Sequence, residues 1–270
     1  MNKVVIIIPV YREILHPLEK IGVDRCLHIL AKHPMIVIAP QGLTIPAPLN
    51  TLPCQYFAPE YFTSISTYSR LLLSREFYAR FLSYEYMLLH QLDVFVFRDE
   101  LREWCNRGYD YIGAPWIDEL WPNEPPIRQG LPFWTRSRLF RFLTPLDHRV
   151  GNGGFSLRRI RTMYQALTCL KRTLRAWGGR NEDQFWSVAV PECWWWRYRT
   201  PGVREALSFA FEENPSSSFE LTGKRLPFGC HAWEQYEPEF WLPHFDAVNC
   251  HFDLEAARSA HRARPKNRKR

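Results

Sequence analysis

The sequence predicts a single α/β domain with a mostly parallel central sheet flanked by helices. Three observations carry that expectation. Two short β-branched runs, VVIIIPVY at residues 4–11 and MIVIAP at Met35–Pro40, stand on either side of a helical stretch. Strand, helix, strand within some 40 residues is how a parallel sheet begins, and near-continuous apolar runs are what strands covered on both faces look like. Finally, the length of 270 residues suits one large domain with a sizeable core.

The elements follow in order. After the strand at 4–11, a helix is expected over 24–32, then the strand MIVIAP. Residues 64–89 read as a long, broken helical region carrying Arg70, Arg75 and Arg80. MLLHQLDVFVF (87–97) reads as a strand with one acid in it, and YDYIGAPW (109–116) as a shorter one. From 117 to 146 the pattern gives way to Pro-, Trp- and Arg-rich sequence, expected to be a functional loop because core-like pattern resumes directly after it. A helix is expected over 181–190, with Asn181 as its cap, Glu182 and Asp183 in its first turn and Pro191 as its stop. One domain is therefore expected over residues 1–257, followed by a basic tail at 258–270.

Composition narrows the class. Hydrophobic residues make up 46% and aromatics 15%, which excludes a disordered chain. The net charge of +7 invites a nucleic-acid reading, but residues 258–270 hold seven Lys or Arg and no acid. Without those seven, the 35 basic residues fall to the same number as the 28 acidic ones. A short basic tail is ordinarily a solvated, disordered end, and an anionic membrane surface is a better match for it than RNA. The seven cysteines are widely spaced with no CxxC, against a zinc knuckle or disulfide framework and in favour of a reducing compartment. No apolar stretch approaches a membrane span. The expected location is cytoplasmic, with peripheral contact at the inner face of the cell membrane through the tail.

Four segments bear chemistry. Gln91-Leu92-Asp93 puts a carboxylate inside an apolar strand, where it needs a cation, donors, or exposure at the strand end. Gly151-Asn152-Gly153-Gly154 has three glycines in four positions, which lets backbone approach a ligand or simply makes a tight turn. It is neither a Walker loop nor a dinucleotide fingerprint after a first strand. Asn181-Glu182-Asp183 places adjacent acids at a helix start, where such acids commonly serve the dipole. His231, in PFGCHAW, sits among aromatics, the usual setting of a core histidine.

Taken together, YEYMLLHQLDVFVF, GYDYIGAPW, VGNGGFSLR, NEDQFWS and PFGCHAW, in this order, resemble the pattern of GT-A glycosyltransferases. The chain looks most like a bacterial family of GT-A-like (Rossmann-like) proteins formerly described only as a domain of unknown function. The resemblance implies nucleoside-diphosphate-sugar donors, UDP-sugars first, a divalent metal, and a glycan or lipid-linked acceptor, in bacterial surface polysaccharide synthesis. Asp93 matches the last acid of the family's Asp-x-Asp motif, which contacts the metal. Gln91 stands where its first acid belongs, a departure that removes one charge. His231 matches the C-terminal histidine that completes the metal site, and Asp183, with Glu182 beside it, the catalytic base of inverting members. Asn152, Gly153 and Gly154 match the loop near donor and acceptor. Pro9, Tyr11 and Arg12 follow the first strand on the donor side, where Arg70 and Gln91 are also assigned.

A mixed oxygen–imidazole pair favours Mn²⁺ over Mg²⁺. A helix start lowers the pKa of Asp183, and burial beside Phe185 and Trp186 would offset that. Trp116, Trp134 and Trp186 are candidates for an acceptor-sugar platform, or for ordinary packing. Arg136, Arg138 and Arg141 among Phe140, Phe142 and Leu143 would suit a phosphorylated lipid-linked acceptor. The rival readings are a nucleotidyltransferase acting on a sugar phosphate, and a non-catalytic module binding nucleotide sugar, RNA or membrane.

Overall fold

The computed structural model describes residues 3–117, 150–179, 181–193 and 195–263, and it is an α/β structure with a mostly parallel central sheet. β1 (Val4–Pro9), β2 (Met35–Pro40), β3 (Cys54–Phe57) and β4 (Tyr86–His90) form its parallel part. β6 (Tyr111–Gly113) and β7 (Phe155–Arg159) complete it, β7 lying antiparallel to both β4 and β6, in the order β3-β2-β1-β4-β7-β6. A second sheet has the order β5-β9-β8, from β5 (Val94–Val96), β8 (Ala210–Phe211) and β9 (Gly229–His231).

Side chains of a strand alternate between faces, and β1 uses both. Val4, Ile6 and Ile8 enter one core, with Leu18, Val23 and Cys26 of the helix Pro17–Ile29. Val5 and Ile7 enter the other, with Leu71 and Leu72 of the helix Ile65–Leu72 and with Ile160, Met163 and Ala166 of Ile160–Cys169. Helices therefore cover both faces, as the continuous apolar strands require. None of the described helices is long and apolar enough to cross a membrane.

Several elements depart from the sequence reading. The first helix begins at Pro17, well before residue 24, because His16 caps it, Glu19 bonds back to the His16 N–H at 2.9 Å, and Pro17 opens it. Region 64–89 is two short helices, Ile65–Leu72 and Arg75–Ala79, with Ser64 and Ser74 as caps, and its last residues belong to β4. The run 87–97 is not one strand but two, β4 and β5, in different sheets, with Gln91-Leu92-Asp93 as the turn between them. Within 181–190, only Glu182–Gln184 is α-helical and Phe185–Ala189 is a π-helical turn. The Asn181 side chain makes no capping bond there. The expected loop at 117–146 falls outside the described residues from 118 onward.

The turn between the sheets is held from behind. A Cβ on Gly22 would stand 2.9 Å from the carbonyl oxygen of Leu92, so only glycine lets the first helix pack against that turn. From the same helix, Arg25 donates to the carbonyls of Val96 and Phe97, both at 2.9 Å, covering the free edge of β5.

Candidate active site

The site grows out of the seam between the two sheets. β5 pairs with β9 so that Val94 faces His231, and the Ala232 N–H donates to the Asp93 carbonyl at 3.0 Å. That register brings Asp93 and His231 together: His231 Nε2 is 3.3 Å from Asp93 Oδ1 and 3.1 Å from Gln91 Oε1. β8 runs parallel to β9 with Phe211 opposite Cys230, so Glu212 follows β8 beside the same imidazole. His231 Nδ1 lies 3.1 Å from Glu212 Oε1. Burial works against a charge on this ring, but the adjacent Asp93 and Glu212 carboxylates outweigh it and push its pKa up to about 10. In the protein alone, then, Nε2–H donates toward Asp93 and Gln91, and Nδ1–H toward Glu212.

The glycine loop is wedged between this histidine and the acid pair. A Cβ on Gly154 would stand 2.5 Å from both Cδ2 and Cε1 of His231. A ligand on the Nε2 lone pair, at a metal–nitrogen distance of about 2.1 Å, would be about 3 Å from those carbons. The Gly154 position is therefore over the ring face, and the lone-pair direction is left clear. One residue earlier, a Cβ on Gly153 would stand 3.2 Å from the Asp183 Cβ and collide with the Glu182 carboxylate. Consecutive glycines thus touch the histidine and the acids, which lie far apart in the chain. The Asn152 side chain holds the loop, accepting from the Gly154 N–H at 2.8 Å and donating to Glu212 Oε1 at 2.7 Å.

The two acids behave differently. Glu182 is 6% exposed and meets fully buried Arg158 in a two-pronged pair, at 2.9 and 3.1 Å. Arg158 also donates to Tyr78 Oη at 3.1 Å, Ser156 Oγ at 3.0 Å and the Gly153 carbonyl at 3.3 Å. Asp183, half-buried, meets no such cation among the described residues; it accepts the Gln184 N–H at 2.7 Å. Burial, then the charges of Glu182 and Glu212, push its carboxyl up to about 7. Burial outweighs the helix start.

Residues 91, 93, 152–154, 182, 183 and 231 are thus brought together, with Tyr11 within electrostatic reach of Asp93; the remaining candidates stand apart from them. Pro9 is buried at the end of β1, leaving Tyr11 as the exposed member of its group, 49% open. Arg12 bonds the Tyr11 phenol at 3.0 Å and pairs with Glu19. Arg70 lies on the exposed side of its helix. Two residues before it, roughly 200° around the axis, Tyr68 lies with its buried hydroxyl within electrostatic reach of the Arg158–Glu182 pair, and burial raises its pKa. Trp186 is fully buried, edge-on to Tyr78 and Phe185 at centroid distances of 5.9 and 5.0 Å. It is core, with no face for an acceptor sugar. Trp116 is half-buried with its ring edge against Gly151, and Trp134 lies outside the described residues.

Sequence reasoning missed Glu212, Arg158 and Tyr68. The signal for Glu212 was present: an acid directly after an apolar strand (FAFE), the same context as Asp93.

Whether the cluster suits a divalent cation is a matter of donor spacing. Among the described residues no group of three or more His, Cys, Asp or Glu is arranged to hold one. The available donors are Asp93, His231 and the neutral Gln91 oxygen. Two ligands bound at about 2.1 Å stand about 3.0–3.4 Å apart in octahedral or tetrahedral geometry. The 3.1 and 3.3 Å separations at Nε2 lie in that range. The donor spacing fits an incomplete cation site.

Residues 51–231 match the model of a family described as "Protein of unknown function (DUF5672)". No curated protein matches the chain significantly. Among solved structures, core-mannan synthase A of Aspergillus fumigatus, in a Mn/GDP form, is 13% identical with a TM-score of 0.45, covering 70% of this chain and 70% of that one. Mouse xyloside xylosyltransferase 1 is 12% identical with a TM-score of 0.47, covering 84% and 96%. A glycosyltransferase involved in glycosylation of the major capsid of PBCV-1 is 12% identical with a TM-score of 0.42, covering 85% and 93%.

Proposed function

The chain belongs to the DUF5672 family, whose description names no activity, and we propose that its cluster transfers a sugar from a nucleoside diphosphate to a hydroxyl of a glycan acceptor. The observation that carries this reading is the glycine wedge. Gly153 and Gly154 hold Asp183 on one side and the His231–Asp93 pair on the other. A displacement at an anomeric carbon needs those two things on opposite flanks of a backbone that can come close to the ligand: a base for the incoming hydroxyl and a neutraliser for the departing diphosphate.

Asp183 accepts the proton of the acceptor hydroxyl as its oxygen bonds the anomeric carbon. The bond from that carbon to the diphosphate oxygen breaks, and the diphosphate leaves with the electron pair. A carboxyl with a pKa near 7 is half ionised at neutral pH and basic enough to take a proton at the transition state. Attack opposite the leaving group inverts the anomeric centre. Asp93 and His231, with Gln91 beside them, are the residues that would hold a divalent cation, Mn²⁺ before Mg²⁺ because of the imidazole. When bound, that cation supplies positive charge to the diphosphate. Tyr11 offers an exposed ring, beyond the C-terminal end of β1, on which a nucleobase can stack. A UDP-sugar donor, a lipid-linked acceptor and a peripheral membrane contact through the basic tail belong to the same reading.

The test is a panel of nucleotide sugars with Mn²⁺ and soluble glycan acceptors, read by release of nucleoside diphosphate and by the anomeric configuration of the product. Turnover with one donor, lost in Asp183→Asn, supports the reading. Pyrophosphate released from a nucleoside triphosphate and a sugar phosphate would overturn it in favour of nucleotidyl transfer.

A further inference from the structure

Glu212 takes no direct part in the reaction proposed above, yet it joins the histidine to the glycine loop. It is 2% exposed, and a single oxygen, Oε1, accepts from His231 Nδ1 at 3.1 Å and from Asn152 Nδ2 at 2.7 Å. Asn152 in turn accepts from the Gly154 N–H at 2.8 Å, and Gly154 lies against the imidazole face. The contacts form a closed circuit: carboxylate to histidine, carboxylate to asparagine, asparagine to glycine, glycine back to histidine.

We propose that Glu212 is a positioning residue that couples the imidazole of His231 to the glycine loop, so that cation binding at the histidine and diphosphate binding at the loop reinforce each other. The inference rests on the transferase reading for the identity of the two ligands. Its physical content is independent of that identity. The ring turns about its Cβ–Cγ bond, and both the bond from Nδ1 to Glu212 and the Gly154 backbone on the ring face resist that turn. The ring plane, and with it the direction of Nε2 toward Asp93 and Gln91, is then fixed by the loop as much as by the carboxylate. A ligand that orders the loop orders the histidine, and the reverse follows by linkage. The departure at position 91 gives this coupling its use. With a neutral amide in place of an acid, the protein alone attracts a cation weakly, and site order must come from elsewhere.

The experiment is calorimetric titration of Mn²⁺ with and without UDP, on the full chain and on Glu212→Ala, Glu212→Gln and Asn152→Ala. Alongside it, nitrogen-15 NMR of the His231 ring is recorded without metal. In the wild type, UDP is expected to raise Mn²⁺ affinity, and the NMR is expected to reveal a slowly exchanging Nδ1–H. In Glu212→Ala, Mn²⁺ affinity with UDP should fall about 10–100-fold, the enhancement by UDP should shrink toward unity, and the protected Nδ1–H should disappear. Glu212→Gln keeps an oxygen acceptor, so the coupling should be largely retained. Asn152→Ala should lower the coupling while leaving the Nδ1–H in place.

A wild type that binds Mn²⁺ and UDP, with unchanged coupling in both Glu212→Ala and Asn152→Ala, overturns the inference and leaves the transferase reading standing. A wild type that binds neither ligand removes that reading, and the ring NMR then decides on Glu212 alone: a fast-exchanging Nδ1–H sinks the positioning role. Should Glu212→Ala fail to fold, Asn152→Ala and the wild-type NMR carry the same decision.

Discussion

Arg158 grips both carboxylate oxygens of Glu182, and the pair is closed off from water. A guanidinium in this setting stays charged: burial disfavours its charge, but the carboxylate more than compensates and its pKa lies well above the ordinary value. The pair fixes the backbone that carries Asp183 and, through the Gly153 carbonyl, the loop on the other side.

Breaking that pair from one side leaves an uncompensated buried charge. Glu182→Gln should destabilise the protein by about 3–5 kcal/mol, read by urea unfolding at pH 7. A variant within 1 kcal/mol of the wild type would mean that the pair does not persist in solution.

Asp183→Asn should separate chemistry from stability. Removing the base should lower turnover by about 10²–10⁴-fold. Its folded pKa, about 7, lies above the ordinary 3.8, so the native state binds its proton more tightly than the unfolded chain. The stability tied to that proton is complete below 3.8 and is lost as pH rises through 7. The asparagine variant lacks this loss. It should match the wild type in melting temperature near pH 4 and exceed it at pH 8, and the reverse order at pH 8 would contradict the assigned burial.

The same carboxyl sets a pH limb. The wild-type kcat/KM should rise with slope one up to about pH 7 and then flatten. A limb centred near pH 4 would identify a different base.

Gly153→Ala and Gly154→Ala should fail in different ways. The first drives a methyl into the Glu182 carboxylate and the second sets one over the His231 ring. Gly154→Ala should weaken Mn²⁺ binding and leave the Arg158–Glu182 pair intact, so unfolding changes less than in Gly153→Ala. Calorimetry and urea titration of the two variants separate these effects.

Trp186→Ala tests core against platform. With its ring fully buried, the loss should be one of folding, about 3–5 kcal/mol. A folded, stable variant with only a raised acceptor KM would restore the platform expectation.

The fold was legible where one physical demand dominated. Apolar runs at 4–10 and 35–40 had to be strands covered on both sides, and they are. The run 87–97 misled because its apolar pattern is continuous through a change of sheet. Only His90, Gln91 and Asp93 interrupt it, and the Gly22 contact that holds the turn is made from 70 residues away. The first helix was read late because His16 is a rare cap. In the candidate site, the gathering of Asp93, Asp183 and His231 in one region was legible through the order of motifs. Arg158 was not, since its partners are chosen by the tertiary fold, which no local pattern encodes; Glu212 carried a local sign, an acid directly after an apolar strand, but what it meets is set by strand register. Trp186 was misassigned because an indole suits a sugar face and a core equally well.

The small sheet is built from strands of three, two and three residues, yet it supplies His231 and orders Asp93 and Glu212. So little regular structure contributes almost nothing to a circular-dichroism spectrum. Local opening of those strands would scatter the histidine and both carboxylates while the larger sheet kept its shape. Inactivation on mild warming should therefore precede any spectroscopic melt, and a preparation that passes every ordinary check of foldedness can still be one that has lost its centre.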